Sequence, residues 1–126
     1  MNPVNVYKGL CDVQRMRILN LLRDGPLCVC HLMEVLEADQ VKISKQLRYM
    51  KRLGLVESER AAQWMIYRLA DRANPLLEEN LESLRAHCGK WTRFSEDDGK
   101  GRAIRKRIEQ ESPPCAEGVG SRGNAS

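Results

Sequence analysis

The segment from Asp39 to Gly54 most constrains what this chain can fold into. Asp39 can cap a helix running from about Gln40 to Leu53, and Gly54 is a natural residue just past its end. Ile43, Leu47, Met50 and Leu53 recur at helical spacing and predict a buried stripe. The other face carries Lys42, Lys45, Gln46, Arg48, Tyr49 and Arg52. Such a helix packs one side on a core and leaves the other for water or a polyanion. Before it, Val29 to Leu36 reads as a shorter helix with Leu32, Val35 and Leu36 turned inward. A short helix, a break and a basic second helix make a helix-turn-helix over about Val29 to Leu53.

The rest of the chain is arranged around that pair. Val4 to Leu10 and Val13 to Leu22 read as helices, the second capped by Asp12 and stopped by Asp24-Gly25-Pro26. Leu55 to Glu59 and Gln63 to Leu69 read as strands of a β-hairpin that turns at Arg60-Ala61-Ala62. A long helix from about Asn74 to His87 ends at Gly89. Lys100 to Glu111 suits a further helix, charged nearly all round, and Ser112 to Ser126 has a disordered composition. The predicted fold class is mainly α (α+β), a winged helix-turn-helix. Residues 1–95 are expected to form the folded domain and 96–126 a charged, flexible C-terminal tail.

Composition narrows the partners and the compartment. With 126 residues the chain forms a modest core, and dimerisation would bury more apolar surface. The formal net charge is +4, but the basic residues cluster between Lys42 and Arg52 and again between Lys100 and Arg107. That clustering is an electrostatic footprint for nucleic acid. The cysteines number five, so they cannot all pair within one chain. No secretory segment opens the sequence, and no apolar run reaches the roughly 20 residues of a membrane helix. A cytoplasmic protein with reduced thiols and no membrane association is expected.

Leu27-Cys28-Val29-Cys30-His31 carries the chemistry. Thiols bind soft metals and metalloids. Cys28 stands where a helix cap is expected, and its spacing from Cys30 is poor for an internal disulfide. Residues two apart in a helix point about 200° from each other. The two sulfurs therefore converge on one ion only if Cys28 lies outside the helix or the first turn unwinds. The helix N-terminus favours the thiolate form. His31 is expected at the surface.

Three segments together resemble the arsenical-resistance repressors, the ArsR/SmtB family of metal-sensing regulators. Tyr7-Lys8-Gly9-Leu10-Cys11-Asp12 with Arg15-Met16-Arg17-Ile18-Leu19 resembles the family's opening. Leu27 to Leu32 resembles its Leu-Cys-Val-Cys-Asp-Leu signature. Lys42 to Leu47, Gly54-Leu55-Val56 and Trp64 to Leu69 resemble its recognition helix and wing. The resemblance implies a homodimeric repressor with a helical dimer interface, bound to double-stranded operator DNA and released by an inducer ion; it does not imply an enzyme.

On a recognition helix, Lys42, Ser44, Lys45, Gln46, Arg48 and Tyr49 would face bases, with Gln46 suited to adenine and Lys45 or Arg48 to guanine. Arg52 would meet phosphate, and Arg60 and Gln63 on the wing the minor groove or backbone. The expected inducer is As(III) or Sb(III), as arsenite, antimonite or an organoarsenical, held by Cys28 and Cys30. Arsenic-sensing relatives often carry a third cysteine where this chain has Met33. Cys11 is the leading candidate for a third ligand, ahead of Cys88 and Cys115. Cadmium or lead sensing, and thiol oxidation, are the alternatives on the same fold. A Cys-x5-Arg match from Cys11 to Arg17 lacks glycine and lies in helical sequence, so an arsenate reductase is not expected.

Overall fold

Most helices begin where a side chain supplies an acceptor for the N–H groups that a helix start leaves unpaired. A computed structural model describes residues 2–70 and 74–111. Asn2 opens α1 (Pro3–Leu10) and accepts from the Val4 N–H at 3.0 Å. Asp12 opens α2 (Val13–Leu22) and accepts from the Arg15 N–H at 3.1 Å. Asp39 opens α4 (Gln40–Arg52) and accepts from the Lys42 N–H at 2.9 Å. Asn74 caps α5 (Pro75–Cys88). Between α2 and α4, β1 (Leu27–Cys28) leads directly into α3 (Val29–Leu36). After α4 come β2 (Val56–Ala61) and β3 (Trp64–Leu69), and α6 (Thr92–Glu111) closes the described chain.

The helix-turn-helix and wing form as predicted, with differences in detail. The wing is part of a three-stranded antiparallel sheet of order β1-β3-β2, not a lone hairpin. Leu27 pairs with Tyr67 and Cys28 with Ile66. The hairpin turns at Ala62-Gln63 and not at Arg60-Ala61-Ala62: Ala61 still pairs with Trp64, and Ala62 takes the positive φ of 58°. Val6, Ile18, Leu19, Leu32, Ile43, Leu47, Met50 and Leu55 are almost fully buried in one core. Gly9 lets α1 lie against it, because a side chain there would collide with Leu55.

α6 runs across the boundary expected between residues 95 and 96, so residues 96–111 belong to the folded body and not to a charged tail. Its buried or half-buried stripe is Phe94, Asp97, Gly101, Ile104 and Ile108, at helical spacing. Gly101 permits close approach, since an added Cβ would lie 3.1 Å from Leu21. Asp97 is tolerated in the stripe because Arg17 of α2 grips both its oxygens, at 2.8 and 2.9 Å. That pairing raises the Arg17 pKa. Arg105 satisfies the end of α2, donating to Leu21 O at 3.0 Å and Gly25 O at 2.9 Å. Lys100 pairs with Glu37 and Arg107 with Glu34, which fastens α6 along α3. The predicted disordered segment from Ser112 onward, and Cys115 in it, lie outside the described residues.

If α6 is a packed element, Ile104→Ala will lower the unfolding free energy by about 2–5 kcal/mol. Arg102→Ala, on its exposed side, will change it by roughly 0.5 kcal/mol or less. Urea titration of the two variants checks this; equal, small effects would contradict the packing.

Candidate thiol site and nucleic-acid interface

Cys28 belongs to two elements at once. It ends β1, and it is the N-cap of α3, with extended φ −85° and ψ 165° and no side-chain cap hydrogen bond. It therefore lies outside the helix, which is the condition under which its sulfur can converge with that of Cys30. Its Cα lies 5.4 Å from that of Cys30, and the structure joins the two sulfurs as a disulfide. The spacing argument against such a pairing is thus corrected. The extended backbone at Cys28 gives a Cα separation within the ordinary disulfide range. Cys28 is buried and Cys30 exposed.

His31 is buried, not at the surface as expected. It lies on the side of α3 that faces Arg107 and Arg105 of α6, an element whose packing the sequence did not reveal. Burial first, then the charge of Arg107, push its imidazole below the usual histidine range; Glu34 pulls the other way. Its Nδ1 lies 3.6 Å from Cys28 Sγ. The donor atoms of Cys28, Cys30 and His31 all lie within 4.8 Å of one another. The Cys-x-Cys-His run was the visible signal for this third donor.

Cys11 does not join them within the chain. It is exposed, donates to Lys8 O at 3.4 Å, and lies 3.7 Å from Arg15 Nη2. Cys88 is exposed at the end of α5.

The cysteine pair lines a cleft shared with α4 and the hairpin. This cleft, of about 340 Å³, is lined by Cys28 and Cys30, by Ser44 and Arg48 of α4, and by Gln63 and Trp64 of the wing. Lys42, Lys45, Arg48 and Arg52 on α4 are exposed, as are Arg60 and Gln63 at the hairpin. Ser44, Gln46 and Tyr49 are half-buried.

Gln46 is already engaged inside the protein. Its Nε2 donates to Asp12 Oδ2 at 3.0 Å and Gln14 Oε1 at 3.1 Å, and its Oε1 accepts from Arg15 Nη1 at 3.1 Å. The Arg15 guanidinium also sits 4.8 Å from the Tyr49 ring centre, and that of Arg52 at 5.8 Å. Asp12 and Arg15 thus position α4 from α2, a role that nothing local in the sequence announced. Lys51 reaches Ser58 Oγ at 2.7 Å and ties α4 to the wing. None of the helices among the described residues is long and apolar enough to cross a membrane.

Comparison with known proteins agrees with this geometry. The family described as "Bacterial regulatory protein, arsR family" matches residues 12–58. The arsenic resistance transcriptional regulator ArsR1 of Pseudomonas putida is 41% identical over 70 residues, which cover 55% of this chain and 55% of that protein. This chain thus spans only about half of that relative's length. ArsR2 of the same organism is 34% identical over 92 residues, covering 72% of this chain and 80% of the relative. Among solved structures, reduced HlyU from Vibrio cholerae superposes with a TM-score of 0.61 at 30% identity, covering 67% of this chain and 85% of that one. On the matched helix-turn-helix, the winged fold and a relative aligned over most of its length, this chain belongs to the ArsR family of bacterial transcriptional regulators.

Proposed function

We propose that the chain is a cytoplasmic, homodimeric repressor that binds operator DNA and leaves it when trivalent arsenic binds Cys28 and Cys30. The observation that carries this reading is the shared cleft, in which both thiols lie beside Ser44 and Arg48 of the recognition helix and Gln63 of the wing. Relatives named as arsenic resistance regulators support the choice of inducer.

α4 would enter the major groove, with Lys42, Ser44, Lys45 and Arg48 at base edges or phosphates, Tyr49 beside them and Arg52 on the backbone. Arg60 and Gln63 would follow the adjacent groove. Gln46, held by Asp12, Gln14 and Arg15, would set the angle of α4 instead of reading a base. Dimerisation would use the face where α1 meets α5. Asn80 donates to the Tyr7 hydroxyl there at 3.4 Å, and Val4 and Tyr7 are exposed.

The reduced pair would take arsenite as As(OH)3. The two thiols give up their protons, two As–O bonds are replaced by As–S bonds, and two waters leave. Cys28 and Cys30 thereby move from their paired positions to the separation the ion sets. Cys28 carries that displacement into β3 through its pairing with Ile66, and into α3 as its cap. Both the wing and the helix that supports α4 are therefore loaded together.

The Cys28–Cys30 disulfide favours a second reading, in which an oxidant is the signal. Two thiols and one peroxide would give the disulfide and two waters.

Cys28→Ser and Cys30→Ser are each expected to retain operator affinity and lose release by arsenite, followed by fluorescence anisotropy of labelled operator. Normal release from both variants would sink the thiol reading. Release by peroxide, reversed by dithiothreitol and obtained without arsenite, would select the redox reading. On the DNA side, Arg48→Ala should weaken binding and, since the dimer loses one phosphate contact in each half, reduce the salt slope by about 1.8. Gln46→Ala should weaken all base-substituted operators by the same factor; loss of preference at one base pair would show that Gln46 reads that base directly.

A further inference from the structure

We propose that Val41 is a specificity-determining residue of the DNA reader, and that it recognises the 5-methyl group of a thymine in the major groove. The proposal rests on the reading of α4 as the recognition helix and adds to it a base contact of a different chemical kind.

Val41 is the most exposed of the large apolar side chains among the described residues, at 71%. A lone exposed valine is ordinary on a protein surface; the position of this one is not. At about 100° per residue, Val41 lies opposite the stripe of Ile43, Leu47 and Met50 that α4 buries in the core. Arg48 and Arg52 fall within about 20° of it around the helix, and Lys45 within about 40°. All three are exposed. One apolar side chain thus stands in the middle of the cationic face. The fold does not call for it. Val41 belongs neither to the core nor to the half-buried side chains packed on that core. A β-branched residue is also a poorer helix former than alanine, lysine or glutamine at an exposed site.

The chemistry of the groove names the partner. Arginine and lysine side chains take phosphates and polar base edges. An isopropyl group has no donor or acceptor, so it can select only through apolar contact. On the major-groove edges of the four bases, the thymine 5-methyl is the apolar feature. Val41 is the second residue of α4, just after the Asp39 cap. The N-terminal residues of a recognition helix are the ones that reach base edges. A methyl packed on Val41 frees both from water. The same valine against a cytosine amino group would strip water from a donor and return no hydrogen bond. Val41 therefore both rewards thymine and penalises its replacement.

The test uses the reduced full-length chain. An operator is first enriched from a pool of random duplexes. Each thymine is then replaced by deoxyuridine at dyad-related positions, in one half-site and in both. Uracil pairs with adenine as thymine does and lacks only the methyl. At one such position the exchange is expected to weaken wild-type binding about fourfold in one half-site and roughly fifteenfold in both. Val41→Ala and Val41→Ser each remove the γ-methyls and should bring the ratio for both half-sites below about twofold. Their salt slope should match the wild type, because an apolar contact releases no counterions. An operator whose affinity no uracil exchange lowers overturns the proposal on wild-type protein alone. So does a methyl effect of wild-type size in both variants, or a salt slope that falls with their affinity, which would mark a displaced α4. A wild-type chain that enriches no sequence from the pool would sink the DNA reading and this proposal with it. An enriched operator without a methyl effect removes only the role of Val41.

Discussion

The backbone of Cys28 is the constraint on which the site depends. It is extended because it pairs with Ile66 in β3, and it is a cap because α3 begins at the next residue. Neither role alone would bring two sulfurs together. A cysteine inside the helix would point away from Cys30, and a cysteine one strand position earlier would project to the other face of the sheet. Sitting between the two, Cys28 makes one residue common to the sheet, α3 and the thiol pair. Because serine or threonine is usual at a cap, a cysteine that makes no cap hydrogen bond gives up local helix stability. In the proposed mechanism that sulfur is kept for the ligand.

A ligand shifts an equilibrium only by its differential affinity for the two states. The structure has a means of producing such a difference at the thiols, provided that α3 does not simply drift with them. α6 prevents that drift. Its ion pairs to Glu34 and Glu37 lie at the surface, where each is worth little. α6 is itself anchored by Phe94 and Ile104 in the core and by Asp97, buried against Arg17 of α2. Breaking one half of a buried ion pair leaves a charge without compensation, which is far more costly than losing a surface pair. α3 is thus fixed along the face that α6 covers, while its first turn is coupled to the cleft.

Much of this was legible in the sequence, because local rules suffice where structure is local. Asp12, Asp39 and Gly54 mark helix ends by chemistry that needs no distant partner. The stripe of Ile43, Leu47 and Met50 has no other use than burial. The position of Cys28 at the cap followed from the same reasoning. What escaped were features that another element imposes. β1 is only Leu27–Cys28 and exists through its pairing with β3. α6 hides its inner stripe because Asp97 and Gly101 stand among the apolar residues, and an aspartate there reads as surface until Arg17 is placed against it. His31 lies within reach of the charges of Arg107 and Arg105 on α6, so its setting was hidden along with that helix. The hydrogen bonds of Gln46 were hidden because its partners lie at Asp12, Gln14 and Arg15, more than thirty residues earlier in the chain.

These misses share a cause, and it bears on how the regulator would work. The sequence shows the DNA reader and the thiols as separate modules, one basic helix and one cysteine pair. The contacts that join them are all tertiary. Asp12 and Arg15 hold α4 from behind, β3 takes up Cys28, and α6 covers His31. A sensor that acts on DNA affinity must have such joints, since a ligand bound to an independent module would leave the other unchanged. The residues least visible in the sequence are therefore those through which inducer and operator would compete. They also mark where this chain departs from the family signature, for His31 stands where the family pattern has aspartate. A carboxylate at that buried position would lie beside a thiolate of the same charge. A neutral imidazole there removes that repulsion, so one substitution changes the electrostatics of the pair.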